Sequence, residues 1–182
     1  IIELNQNITT SVAYLDDKTD RGTIRKLLTE NKADINDYKL KMDKNNGFLR
    51  TLEYQPSEDI EDEWKKLDEV YELKYNLWNT VIRLEENMDK WKGFTINEMK
   101  NAKLDDEIRD FNIAITNLNH QIAEPEKDKV LSLLNKLSNE MNKFAPVIQV
   151  LSSTSMQERH WKEFFKIINI EYADGILNSI TF

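Results

Sequence analysis

Cysteine is absent from the 182 residues, which excludes disulfide scaffolds and every zinc site built on thiolates. Glycine and proline are scarce, at four and three residues. A sandwich, a barrel or a doubly wound sheet needs turn-forming residues at each reversal, so this scarcity argues against all three. The four glycines, Gly22, Gly47, Gly93 and Gly175, lie at least 25 residues apart. A loop that wraps a phosphate needs glycines a few residues apart, so there is neither a P-loop nor a dinucleotide fingerprint. Only two histidines occur, His120 and His160. The residues three before them are Asn117 and Gln157, so the Glu-x-x-His pair of di-iron bundles is missing. No apolar run reaches the roughly 18 residues a membrane-crossing helix needs. Neither catalytic residues nor a metal or cofactor site is expected within the chain.

The charge is acidic, 33 residues against 25, for a net −8. Without a Lys/Arg run, this disfavours nucleic acid and anionic membrane as partners. The charged fraction is 32%, and charge with few helix breakers is the composition of long helices. The chain opens on Ile1-Ile2-Glu3, with no initiator Met and no basic segment leading an apolar one. It reads as an internal piece of a longer polypeptide.

Periodicity is clearest in the last third. Val130, Leu134, Leu137, Met141, Phe144, Ile148 and Leu151 recur at 4-3 spacing, the seam of a helix packed against others. Pro125 is expected in its first turn, with Glu126 and Asp128 complementing the dipole. Pro146 falls inside the pattern and predicts a kink or a change of helix near Phe144. Upstream, Leu104, Ile108, Phe111, Ile115, Leu118 and Ile122 form a second seam. A capping box at Thr95–Glu98 marks its start, with Phe94 able to staple onto Met99. Gly93 is expected to close the helix before it.

That earlier helix is expected from Ser57, after Pro56. Ile60, Trp64, Leu67, Tyr71, Trp78, Val81 and Met88 make one stripe, and Val70, Leu73, Leu77, Leu84 and Trp91 another. Two stripes predict contacts from two sides, as inside a bundle, along about 50 Å of helix. The acidic run Glu58, Asp59, Glu61, Asp62, Glu63 reads as dipole complementarity plus solvation, with an interaction surface as the competing reading. A weaker helix spans about Gly22 to Asn46 through Ile24, Leu28, Ile35, Tyr38 and Met42, with Asn31 as a register-fixing interruption. Ile1, Leu4, Ile8, Val12 and Leu15 suggest the end of another. The expected fold is all-α, an elongated row of long antiparallel helices packed as bundles, with little or no β. Its segments are 1–56, 57–124 with two long helices, and 125–182 with the seam helix, a turn and a short helix.

One local cluster stands apart. Phe144-Ala145-Pro146-Val147-Ile148 is followed by Met156-Gln157-Glu158-Arg159-His160-Trp161. Ser155 and Glu158 form a capping box that would set His160 and Trp161 at the start of a new helix. With the Trp-bearing helix upstream (Trp64, Trp78, Trp91) and the helix after Phe94, this resembles the tail-to-linker region of dynein heavy chains, over roughly residues 57–170. Pro146, Arg159, His160 and Trp161 carry the likeness.

The resemblance implies a piece of a microtubule motor, with 1–56 on the tail side and 125–182 entering the linker. In that family the linker bends and straightens across an AAA+ ring as ATP is bound and hydrolysed. This segment would then be a mechanical lever without catalysis or cofactor, and ATP would belong to the ring outside it. The implied partners are the rest of the heavy chain including that ring, with intermediate or light chains or a neighbouring heavy chain as further candidates. The implied location is the cytoplasm and cytoskeleton, with the ciliary axoneme as one option. His160 reads either as a neutral packing group beside Trp161 that satisfies a backbone carbonyl, or as a contact to a ring module or neighbouring chain. Arg159 reads as a structural ion pair or a helix C-terminal cap. A spectrin-like scaffold or tether is the alternative that the seams alone leave open.

Overall fold

A chain rich in charge and poor in breakers has little to stop a helix, and helices dominate. The computed structural model describes residues 2–102, 104–153, 155–173 and 175–181, with side chains for all of these but Lys100 and Ser152. Among the described residues there are eight α-helices and one 3₁₀ turn, with no strand; Thr95 and Thr181 form an isolated antiparallel bridge. The helices are α1 (Ile2–Thr10), α2 (Val12–Leu15), α3 (Arg21–Thr51), α4 (Glu58–Lys92), α5 (Ile96–Asn101), α6 (Leu104–Gln121), α7 (Lys129–Ser152) and α8 (Glu158–Ile167). The all-α expectation holds. The chain forms two compact units, one of Ile1–Asn79 with Gln121–Leu133 and one of Thr80–His120 with Leu134–Phe182.

The first unit buries Ile8, Tyr14, Ile24, Leu28, Ile35, Leu67, Tyr71 and Trp78. Its start differs from the expected single helix, because Ser11 takes an extended conformation (ψ 120°) and separates α1 from α2. That break turns the chain, so Val12 and Leu15 face solvent and Tyr14 points inward; Ile1 lies outside the described residues. Tyr14 becomes a hub. Its hydroxyl accepts from Asn31 Nδ2 at 2.8 Å, and its carbonyl accepts from Trp78 Nε1 at 3.2 Å. Asn31, the predicted interruption of the α3 seam, is thus a paired polar group.

Asp20 caps α3 by accepting from the Thr23 N–H at 2.8 Å. α3 and α4 pair as a hairpin, with Lys32 Nζ 2.7 Å from Glu72 Oε1. The predicted seam of α3 fades along its length: Tyr38 is exposed and Met42 half-buried. The α3 end is a Schellman closure, in which Tyr54 N–H reaches the Leu49 carbonyl at 2.9 Å and Glu53 N–H that of Arg50 at 3.1 Å. Glu53 takes the left-handed conformation this needs, at φ 63°.

Pro125 does not enter α7. It sits in a turn, and Asp128 starts the helix instead, its Oδ1 accepting from the N–H groups of Val130 and Leu131 at 3.0 and 2.9 Å. A carboxylate satisfies two orphan donors where proline satisfies none. Oδ2 of the same residue lies 3.4 Å from Lys74 Nζ, in a pair with both side chains largely buried.

In the second unit, the stripe of α4 continues through Val81, Leu84, Met88 and Trp91, all buried. α4 ends at Lys92, so Gly93 closes it as expected; the Gly93 N–H bonds the Lys90 carbonyl at 3.1 Å in a tightened last turn. The Thr95–Glu98 capping box is present but opens the short α5, whose end at Ala102 is extended, so the long α6 begins separately at Leu104. A capping box fixes a start and says nothing about where the helix stops. In α6, Leu104, Ile108, Phe111, Ile115 and Leu118 are buried as expected, while Ile122 falls beyond its end. α7 runs helically through Pro146 with no change of helix. Within its seam Leu134, Met141, Ile148 and Leu151 are buried, Leu137 is half-buried and Phe144 is turned outward.

Two reciprocal amide pairs clasp α6 to α7. Asn119 and Asn135 exchange bonds of 2.9 and 3.0 Å, and Asn112 and Asn142 bonds of 3.0 and 3.1 Å. Seven residues down α6 match seven residues up α7, which fixes an antiparallel register.

Candidate functional site

The residues of the family-like motif lie on α7 and α8. α8 forms because Trp161, Phe164 and Phe165 fall on one face of a helix with polar residues opposite, and because its first turn is capped locally. The cap is not the predicted Ser155–Glu158 box. Gln157 is the N-cap, and its N–H donates to Nδ1 of His160 at 3.1 Å. The imidazole therefore accepts from a backbone donor instead of satisfying a carbonyl, and it is half-buried. Arg159 Nε lies 3.2 Å from Nε2 of the same ring. A neutral imidazole has one acceptor nitrogen, so it serves either the helix N-terminus or Arg159 at any moment. Among the described residues Arg159 has no carboxylate partner and caps no helix C-terminus, which replaces both readings made for it.

Trp161 is 2% exposed and anchors a small core with Leu151 at the end of α7, Phe165 on α8 and Ile96 on α5. Its ring meets Phe164 edge-on, with centroids 6.0 Å apart, and lies tilted 6.3 Å from Phe165. Such pairings add about 0.5–1.5 kcal/mol each beyond the area they bury. Met156, Tyr172, Ile176, Leu177 and Ile180 cover this core from outside.

The covering segment returns by two left-handed residues. Asn169 (φ 56°) closes α8, with the Ile170 N–H on the Phe165 carbonyl at 2.9 Å. Gly175 (φ 83°) precedes the 3₁₀ turn Ile176–Asn178. Asn97 Nδ2 then bonds Asn178 Oδ1, and the Thr95–Thr181 bridge seats the segment against α5. None of this was anticipated from the sequence. The hint was Tyr172, Ile176 and Ile180 at a spacing of four.

Pro146 is exposed on α7 and does not join the Trp161 core. It lines an open groove of about 580 Å³ between α6 and α7, together with Arg109, Asn112, Thr116, Asn142 and Gln149. That lining holds neither a thiol nor an imidazole. His120 is exposed on α6, apart from His160 on α8. Among the described residues no three His, Asp or Glu side chains come together as a metal site, and no helix is long and apolar enough to cross a membrane. Trp161 wedges the end of one helix against the start of the next, with a third helix and a returning strap closing over it.

No curated protein and no solved structure matches the chain. The family model for dynein heavy chain, N-terminal region 2, matches residues 64–182, about two thirds of the sequence, from the first buried tryptophan of α4 through the Trp161 core. The chain belongs to the dynein heavy chain family, as part of the N-terminal region.

Proposed function

We propose that this segment is a lever in a microtubule motor, coupling ATP-driven changes in an AAA+ ring to the tail while catalysing nothing itself. The observation that carries the reading is the Trp161 core, in which Leu151 of α7 and Ile96 of α5 pack with the buried rings of Trp161 and Phe165 on α8. A dense core resists continuous deformation, so an angle set by it passes force instead of dissipating it. Family membership supplies the motor. The rest of the same heavy chain, including its ring, is then the immediate partner, with intermediate or light chains or a neighbouring heavy chain attached elsewhere. Cytoskeletal location follows from the same reading, and a ciliary axoneme is one place it would serve. ATP would be held by the ring alone.

The test is a full motor carrying Trp161→Ala or the milder Trp161→Phe. The alanine variant should lose about 3–5 kcal/mol of local stability as a core truncation. Slower microtubule gliding with near-normal ATPase turnover is the expected result for both, graded with ring size. Unchanged gliding by a motor whose segment remains folded would remove the lever role.

A further inference from the structure

The end of the strap covers the Trp161 core without being enclosed by it. From Gly175 to Thr181 no residue is buried; Ile176, Leu177 and Ile180 are half-buried on the core and the others are exposed. Beneath them the order reverses: Phe165 is fully buried, and Trp161, Ile96 and Leu151 are 2%, 4% and 6% exposed. A segment of this kind gives up little apolar contact on leaving and regains its conformational entropy.

Its ties are few. The N–H groups of Asn178, Ser179 and Ile180 bond to the carbonyls of Gly175 and Ile176, inside the segment itself. These bonds hold the shape of the 3₁₀ turn and not its position. Position is held by the packing of the turn on α5, by the Asn97–Asn178 amide bond and by the Thr95–Thr181 bridge. The start of the strap is anchored differently, on α8: the Tyr172 ring lies 5.8 Å from that of Phe165, with Lys162 Nζ 5.8 Å from its centroid. Between the two anchorages stands Gly175, left-handed at φ 83°, with open space where a Cβ would be. A side chain there would meet no clash, so only the backbone conformation calls for glycine.

We propose that Gly175–Thr181 is a latch, which swings off α5 about Gly175 as one piece while the helices of the second unit stay folded. Closed, it completes the packing around Ile96, Trp161 and Phe165. Open, it lets water reach one side of that core, and the corner between α7 and α8 loosens. The consequence for stiffness rests on the lever reading; the motion does not.

The chain has no cysteine, so in an Ile96→Cys variant a disulfide reagent reports one thiol, the one beneath the latch. Labelling of the 182-residue chain is followed at low urea and compared with the global unfolding rate. The thiol should react at least about a hundredfold faster than global unfolding allows, with a weaker urea dependence, because little surface is exposed. Adding Gly175→Ala should speed labelling about tenfold, since alanine resists the left-handed conformation, whereas Gly175→Asn should change it at most about threefold. Asn178→Ala, at an exposed position, should speed it about fivefold by removing one tie. Amide exchange without the cysteine gives a parallel comparison: Gly175→Ala should quicken exchange in α8 and leave α6 unchanged. Labelling only at the global unfolding rate, equal rates for Gly175→Ala and Gly175→Asn, or α8 exchange unmoved by Gly175→Ala would each overturn the latch. Gliding indifferent to Trp161, with these rates as expected, would remove the lever and leave the latch standing.

Discussion

The hydroxyl of Tyr71 donates to the Leu28 carbonyl at 2.9 Å, across the α3–α4 hairpin, and the ring is buried and covered by Lys32 Nζ 4.9 Å from its centroid. Burial, reinforced by the nearby Tyr14, Glu72, Tyr75 and Asp68, pushes its pKa well above the ordinary tyrosine value of 10.0. Tyr14 is raised as well, first by burial, with the Asn31 bond opposing. A raised acid pKa means that at high pH the unfolded chain releases protons which the folded chain retains. Stability from these phenols is therefore whole below about pH 10 and falls as pH climbs toward the folded values. Tyr71→Phe should cost about 1 kcal/mol near pH 8, as a lost hydrogen bond, and should flatten part of the decline between about pH 10 and pH 11. Urea midpoints for both proteins across that range test it; parallel alkaline declines would mean that Tyr71 ionises freely in the fold. On the acid side the sign reverses. Asp20 and Glu98 are held below the usual carboxylate range by the Thr23 and Thr95 groups that donate to them, so their capping contribution is present above that range and lost as pH falls through the depressed values.

Between α6 and α7 the two asparagine pairs set a relation that apolar seams leave loose. Leucine-like knobs tolerate a slip of one heptad; an amide that both gives and accepts a bond does not. Asn119→Ala strands a half-buried amide on Asn135, and should cost about 1–2 kcal/mol. Converting both to leucine removes the polar burden together and should cost less than the two single changes summed, giving a coupling of about 0.5–3 kcal/mol in a double-mutant cycle by chemical denaturation. Additive losses would mean that the amides bond water more than each other. The same elements bound how much was legible in the sequence. Periodicity placed α4, α6 and α7, because repeated burial at 3.6-residue spacing writes itself into the chain. It did not place the pairs, although Asn112 and Asn119, and Asn135 and Asn142, each lie seven apart. Breaks were less readable than runs: the extended residues at Ser11 and Ala102 split predicted helices without a proline or glycine to announce them. The Trp161 core was half legible. The tryptophan and its helix stood out, but Ile96 and the strap from Tyr172 to Ile180 are distant in sequence and meet it only in the fold.

Across the whole chain, acidic charge and separated glycines bear on nucleotide. ATP carries its phosphates as a cluster of negative charge, and binding them takes backbone N–H groups at a glycine-rich turn, a lysine or a bound divalent cation. The chain has a net charge of −8 and glycines no closer than 25 residues, and its described residues gather no carboxylate cluster suited to Mg²⁺. The prediction is that about 1 mM MgATP leaves the thermal melt of the 182-residue chain unmoved. The measurement is sensitive enough to decide. A Kd of about 10 μM would stabilise the fold by about 2.7 kcal/mol at that concentration, and each kcal/mol moves the midpoint of a domain this size by about 2–4 °C. A rise of roughly 5–10 °C would therefore reveal a nucleotide site within the segment proposed as a lever. A flat response with ATP, and equally with ADP, is the outcome expected of the proposed lever.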